Sequence, residues 1–193
     1  MNPPKQTPRS DSSLSRSNRL SRSLIEFVVI LGIAFALVFG FVKPVIADSF
    51  YIDSGSMEPT LHGCKGCTND RVLVNKLAYD LSDVERGDIV LFESPVNGEV
   101  LIKRAVGLPG DNLEIRGGKL YLNGEPQEEP YLKANAWYSS PFGPVTVPEG
   151  HFFAMGDNRM NSIDSRSYGT VPQENLIGEA EVRFWPPGRV SLF

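Results

Sequence analysis

Nineteen consecutive residues, Leu24 to Val42, read LIEFVVILGIAFALVFGFV with Glu26 as the only charge. As a helix this run is about 29 Å long at ~1.5 Å per residue, close to a hydrocarbon core of about 30 Å. Apolar residues on every face argue against a helix of a soluble domain. Glu26 and Lys43 stand at the two ends, where side chains reach the headgroups. We read 24–43 as a transmembrane signal-anchor helix. Lys5, Arg9, Arg16, Arg19 and Arg22 precede it, which by the positive-inside rule puts the amino terminus in the cytoplasm and the rest of the chain on the extracytoplasmic (periplasmic or lumenal) face. The alternative is a cleaved signal peptide ending at Val45-Ile46-Ala47. Against it, the uncharged run from Phe27 to Val42 exceeds the ~7 to 15 residues of a signal core.

Residues 1–23 are rich in Ser, Arg, Pro and Asn, with too little apolar surface to offset the entropy of ordering. They are expected to form a flexible basic tail. Residues 1 to 26 hold five basic side chains against Asp11 and Glu26, in a chain of net charge −4, so the remainder carries −7. Such a body lacks the basic face that nucleic-acid binding requires. Its 193 residues, 41% hydrophobic and 22% charged, suffice for one domain with an appendage.

Beyond the span the apolar period turns toward two. RVLVNK (71–76), DIVLFES (88–94), VLIKRAV (100–106), NLEIR (112–116), KLYLNG (119–124), HFFAM (151–155) and EAEVRFW (179–185) are short runs rich in β-branched or aromatic residues, bounded by turn residues. Gly117-Gly118 reads as a tight hairpin and Asn123-Gly124 as another turn. VNKLAYDL is the one weak helical signal. The expectation is a mainly β fold: an antiparallel, partly closed β-domain over 48–193, following one N-terminal transmembrane helix. Residues of about 111–155 are expected to form a small hairpin and loop extension.

Four stretches hold polar residues that a plain β-domain does not need: SGSMEPTL (54–61), RGDIVLF (86–92), IKRAVGLPGD (102–111) and GDNRMNSIDSRSYG (156–169). Lys103 falls inside an apolar strand, where alternation sends Lys103 and Arg104 to opposite faces. A lysine among apolar groups loses hydration of its charged form, and its pKa falls from about 10.4. Reaching about 7 takes roughly 4 to 5 kcal/mol, which desolvation and a neighbouring cation can supply. A neutral amine is a general base, and Ser56, on a turn loosened by Gly55 and stopped by Pro59, is a nucleophile for it to activate. Ser54 can help bind a developing oxyanion. Taken singly, each is an ordinary turn or strand residue.

Together the four stretches resemble the sequence boxes of the bacterial type I signal peptidases (leader peptidases), membrane-bound serine proteases that remove signal peptides from exported proteins. The resemblance covers most of residues 24 to 193. It implies a largely antiparallel β-protease fold, with Ser56 as nucleophile and Lys103 as general base of a Ser-Lys dyad acting through an acyl-enzyme. By the same match, Ser54 and the Ser56 N–H form the oxyanion hole, and Ser162 orients the lysine amine. Arg104, Asp164 and Arg166 match structural supports. The implied substrates are preprotein signal peptides with small residues one and three positions before the cut, near the export translocon at the lipid bilayer. Ile52, Met57 and Ile102 are candidates for the walls of the shallow pockets, and no metal or cofactor is implied. Asp53, Leu101 and Met160 depart from the family's usual proline, aromatic residue and aspartate.

A Ser-His-Asp triad would have to use His62 or His151, and His62 sits in a Gly- and Cys-rich loop. Cys64 and Cys67 form a single C-x-x-C without the second ligand pair of structural zinc. Disulfide and free thiols both fit. Two competing functions are a non-enzymatic anchored β-domain that binds exported proteins, and a self-cleaving Ser-Lys protease of the repressor type. The latter lacks its DNA-binding domain here.

Overall fold

The computed structural model describes residues 12–37, 40, 47–133 and 140–193. It divides into two compact units, Met1–Pro44 and Val45–Phe193. In the first, helix α1 spans Ser12–Leu37. The tail expected to be flexible to residue 23 is therefore helical from Ser12. Helix growth adds one backbone hydrogen bond per residue fixed once a nucleus exists, so a helix seeded in the apolar run extends back through Ser and Arg residues that tolerate it. Ile25 to Leu37 are all exposed, Phe27 to 63% and Ile30 to 65%. Among the described residues, no helix is long and apolar enough to cross a membrane. The expected span continues through residues 38, 39 and 41–43, which lie outside the description.

The second unit is mainly β and antiparallel. Strands β1 (Ala47–Tyr51), β2 (Arg71–Asn75), β3 (Ile89–Glu93), β4 (Val100–Gly107), β9 (His151–Met155), β10 (Val171–Pro172) and β11 (Leu176–Trp185) form one sheet in the order β1-β2-β11-β3-β4-β9-β10, and β12 (Ser191–Leu192) joins β11. Strands β5 (Asn112–Arg116), β6 (Lys119–Leu122), β7 (Glu125–Pro126) and β8 (Phe142–Thr146) form a second sheet in the order β7-β6-β5-β8. Gly117 and Gly118, at φ 55° and 75°, make the two-residue turn between β5 and β6. Among the described residues the unit also holds two short α-helices, α2 (Ala78–Leu81) and α3 (Ser165–Tyr168).

Strand β3 shows why the larger sheet carries core on both faces. Its side chains alternate, so Ile89 and Leu91 enter one apolar cluster with Ile52, Met57, Val72 and Val74. Val90 and Phe92 enter another with Ala105, Phe152, Ala154 and Val171. A third cluster, with Leu113, Ile115, Leu120, Leu122, Phe153 and Met155, joins the second sheet to the ends of β4 and β9. Strand β4 runs beside β3 with Lys103 opposite Val90 and Arg104 opposite Ile89. Because both faces are covered, Lys103 and Arg104 are both buried, at 4% and 8% exposure.

Candidate active site

Three segments converge at the site. The first is the 3-10 turn Gly55–Met57, which follows the end of β1. Its Met57 is fully buried in the apolar cluster beneath, so the turn is held from below and Ser56 is presented above. Met57 thus lines neither of the clefts described here, contrary to its expected place in a pocket wall. The second segment is β4 itself, where Lys103 Nζ lies 2.8 Å from Ser56 Oγ, within hydrogen-bond reach of a base and its nucleophile. The third is the loop from Gly156 to Ile163, between β9 and α3.

The loop grips the serine turn through its backbone. The Asn158 N–H donates to the Ser56 carbonyl at 2.9 Å, and Asn158 Nδ2 donates to the Gly55 carbonyl at 2.9 Å. Gly156 permits this approach. A Cβ there would stand 2.5 Å from the Ser56 carbonyl oxygen and 2.3 Å from Ser162 Oγ, so any side chain would push the loop off the turn. Ser54 Oγ is 3.3 Å from Ser56 Oγ. Ser162 Oγ is buried without a hydrogen-bond partner, and it lines a cleft together with Ser54, Ser56, Lys103, Met160 and Ile163. No hydrogen bond links Ser162 to Lys103 among the described residues.

Burial pushes the Lys103 amine down from 10.5 to about 8, because a charged ammonium there has lost its water. Asp164, Asp53 and Asp157 oppose the shift. The neighbouring cation invoked from sequence contributes nothing resolved; desolvation alone lowers the value. Asp164 is buried, which by itself would raise its carboxyl, yet two hydrogen bonds from Arg166, each 2.8 Å, hold it below the usual range. Ser162 adds to that lowering, although its geometry falls short of a formed hydrogen bond. The Asp164 carboxylate also accepts from the Gly156 N–H at 3.1 Å, which ties α3 back to the loop. Arg104, on the other face of β4, pairs with Asp157 through Nε (2.9 Å) and Nη2 (2.6 Å).

A groove leads to Lys103 between two stretches of backbone. Tyr51, Ile52, Asp53 and Ser54 form one wall, and Val100, Leu101, Ile102 and Lys103 the other, with Phe50 and Leu91 between. Of the expected wall residues, Ile52 and Ile102 are present. Tyr51, Leu91 and Val100 were missed, because only the pairing of β1 and β3 with their neighbours brings them here. Asn158, Asp157 and Gly156 were quoted from sequence but given no task. A polar run opening directly after an apolar strand is the signal that could have marked them.

Behind the first wall lies the loop of residues 62–70. Cys64 and Cys67 are disulfide-bonded, which resolves the choice left open above. His62 has ligand-type atoms within 4.8 Å of both sulfurs, but sulfurs bonded to each other are not thiolate ligands. His62 Nδ1 meets Glu58 instead of Ser56.

The family model described as "Signal peptidase, peptidase S26" matches residues 24–185. A signal peptidase I of Leptolyngbya laminosa is 38% identical, over 98% of this chain and 93% of its own length. A probable signal peptidase I-2 of a Synechocystis species is 43% identical, over 78% of this chain and 69% of its own. The crystal structure of a signal peptidase I from Enterococcus faecalis is 38% identical, covering 51% of this chain and 97% of that one, with a TM-score of 0.46.

Proposed function

The chain belongs to the signal peptidase (peptidase S26) family, and from that premise we propose how it works: Ser56 is the nucleophile and Lys103 the base of a serine endopeptidase that cuts signal peptides from preproteins. The observation that carries the assignment is the 2.8 Å approach of Lys103 Nζ to Ser56 Oγ, with Lys103 only 4% exposed. In its neutral form the amine takes the Ser56 proton as Oγ attacks the scissile carbonyl carbon. The tetrahedral oxyanion is met by the Ser56 N–H and the Ser54 hydroxyl. Collapse breaks the C–N bond, and the ammonium of Lys103 returns its proton to the leaving amine. Water, deprotonated by the same lysine, then attacks the acyl ester and frees Ser56. Ser162 lines the same cleft, and its hydroxyl, without a hydrogen-bond partner in this structure, would turn to the amine once Lys103 carries the proton.

The groove supports the substrate class. Among the described residues, the stretch from Val100 to Lys103 has no strand partner on its groove side, since pairing with β9 begins at Arg104. An extended signal peptide can add there as a strand, its alternate side chains meeting shallow walls that include Ile52 and Ile102. Only small side chains fit at those positions.

Residues 24–43 anchor the enzyme, the amino terminus lies in the cytoplasm, and the β-unit works on the extracytoplasmic face near the export translocon. The exposed apolar side chains from Ile25 to Leu37 and the arginines before them support this topology. The test is cleavage of a preprotein carrying alanine one and three residues before the cut, in detergent micelles, by wild type and Ser56→Ala. Loss of cleavage by about 10⁴-fold or more is expected; equal rates would overturn the assignment.

A further inference from the structure

The mechanism leaves the segment between β7 and β8 without a task, yet Glu129-Pro130-Tyr131 from that segment reaches both halves of the site. The Arg104 guanidinium lies 4.0 Å from the centre of the Tyr131 ring, within cation–π range. Glu129 Oε1 lies 2.7 Å from Arg159 Nη1, with side-chain exposures of 9% and 0%. The Tyr131 hydroxyl donates to Glu129 Oε1 at 3.1 Å, and Arg159 Nη2 approaches the same hydroxyl at 3.5 Å. Pro130 fixes its own φ and restricts Glu129 before it, which sets the spacing of the two side chains.

Each contact continues toward the dyad through a short chain of neighbours. Arg104 is the residue after Lys103 and holds Asp157 in a bidentate pair. Arg159 Nε donates to the Gly156 carbonyl at 2.9 Å. Between Asp157 and Arg159 stands Asn158, which holds the carbonyls of Gly55 and Ser56. The base strand and the nucleophile turn are thus joined through one buried charge network, closed from outside by two residues of a loop far away in sequence. A buried guanidinium needs its carboxylate, so the loop cannot leave without unsettling Arg159.

We propose that Glu129 and Tyr131 are positioning residues, which hold Lys103 and Ser56 in reacting geometry by clamping Arg104 and Arg159 together. The inference rests on the Ser-Lys reading above. Loosening the clamp widens the distance between base and nucleophile and admits water to the lysine. The first effect lowers kcat. The second raises the pH at which the amine loses its proton.

The test compares full-length wild type with Tyr131→Leu, Tyr131→Phe and Glu129→Gln, using the same preprotein, in micelles, well below each variant's Tm. Tyr131→Leu keeps an apolar body but removes the ring face, and about a tenfold loss of kcat is expected with KM changed less than about threefold. The acid limb of its pH–rate profile should move to higher pH. Tyr131→Phe keeps the ring over Arg104 and should recover most of the rate. Glu129→Gln should lose at least as much as Tyr131→Leu; if it does not fold, the tyrosine pair decides alone. A lowered Tm with kcat and acid limb unchanged in Tyr131→Leu would make the clamp merely structural and overturn the proposal. Ser56→Ala run in parallel separates the two failures: an active Ser56→Ala removes the dyad itself, whereas an inactive one beside a fully active Tyr131→Leu removes only the clamp.

Discussion

Lys103 and Arg104 are adjacent on β4, face opposite sides of one sheet, and are buried at 4% and 8% exposure, but they meet burial in opposite ways. Arg104 keeps its charge by taking a bidentate carboxylate from Asp157, a carbonyl from Gly87 and the ring face of Tyr131. Lys103 is given a hydroxyl, Ser56, and, among the described residues, no paired carboxylate. A guanidinium cannot be deprotonated at ordinary pH, so the fold must satisfy it. An ammonium can shed its proton, and here desolvation draws its pKa to about 8. One residue of register therefore separates a fixed charge that braces the site from a titrating amine that can serve as base.

The largest expected effect breaks the lysine half. Lys103→Arg retains charge and length but removes the neutral state, and cleavage should fall about 10⁴-fold or more, as for Ser56→Ala. An active Lys103→Arg would show that a neutral amine is not needed. Next, Arg104→Met leaves Asp157 buried without its partner and should cost about 3 to 5 kcal/mol of stability, read from urea denaturation. Lys103→Met should do the reverse. The folded-state pKa of about 8 lies below the ordinary 10.5, so the unfolded chain binds more protons between those values. Stability rises with pH across that window, and the burden of Lys103 is largest below pH 8. Removing it should stabilise the enzyme by about 1 kcal/mol or more at pH 6 to 7, with no gain above pH 10.5. Destabilisation by both substitutions would erase the contrast.

The smallest effect sharpens the comparison. Asp53 is one of the carboxylates that raise the Lys103 value. Asp53→Asn should move the acid limb of the kcat/KM profile to lower pH by a few tenths, since an exposed charge acts through water. A move to higher pH would contradict the electrostatic account.

What the sequence revealed divides along the same physical line. NLEIR and HFFAM coincide with β5 and β9, and Gly117-Gly118 with the turn joining β5 to β6, because alternation and positive φ are local properties. Strand β8, with Gly143 and Pro144, and the two-residue strands β7, β10 and β12 carry too little periodicity to be seen. In the site, Ser56 and Lys103 were legible only because a family pattern links stretches 47 residues apart. Glu129 and Tyr131 were not, since their roles arise from contacts between distant segments that no local rule encodes. The unnamed neighbouring cation expected to help depress Lys103 has no part in it: burial is what lowers the amine, and the adjacent Arg104 is paired with Asp157.

The proposed chemistry depends on an amine that gives up its proton near neutrality. Its most direct test is an NMR titration of the protein labelled with ¹³C at lysine Cε, with the Lys103 signal assigned by its absence in Lys103→Met. The account expects a midpoint near 8. A midpoint at or above the ordinary lysine value of about 10.4 would contradict it.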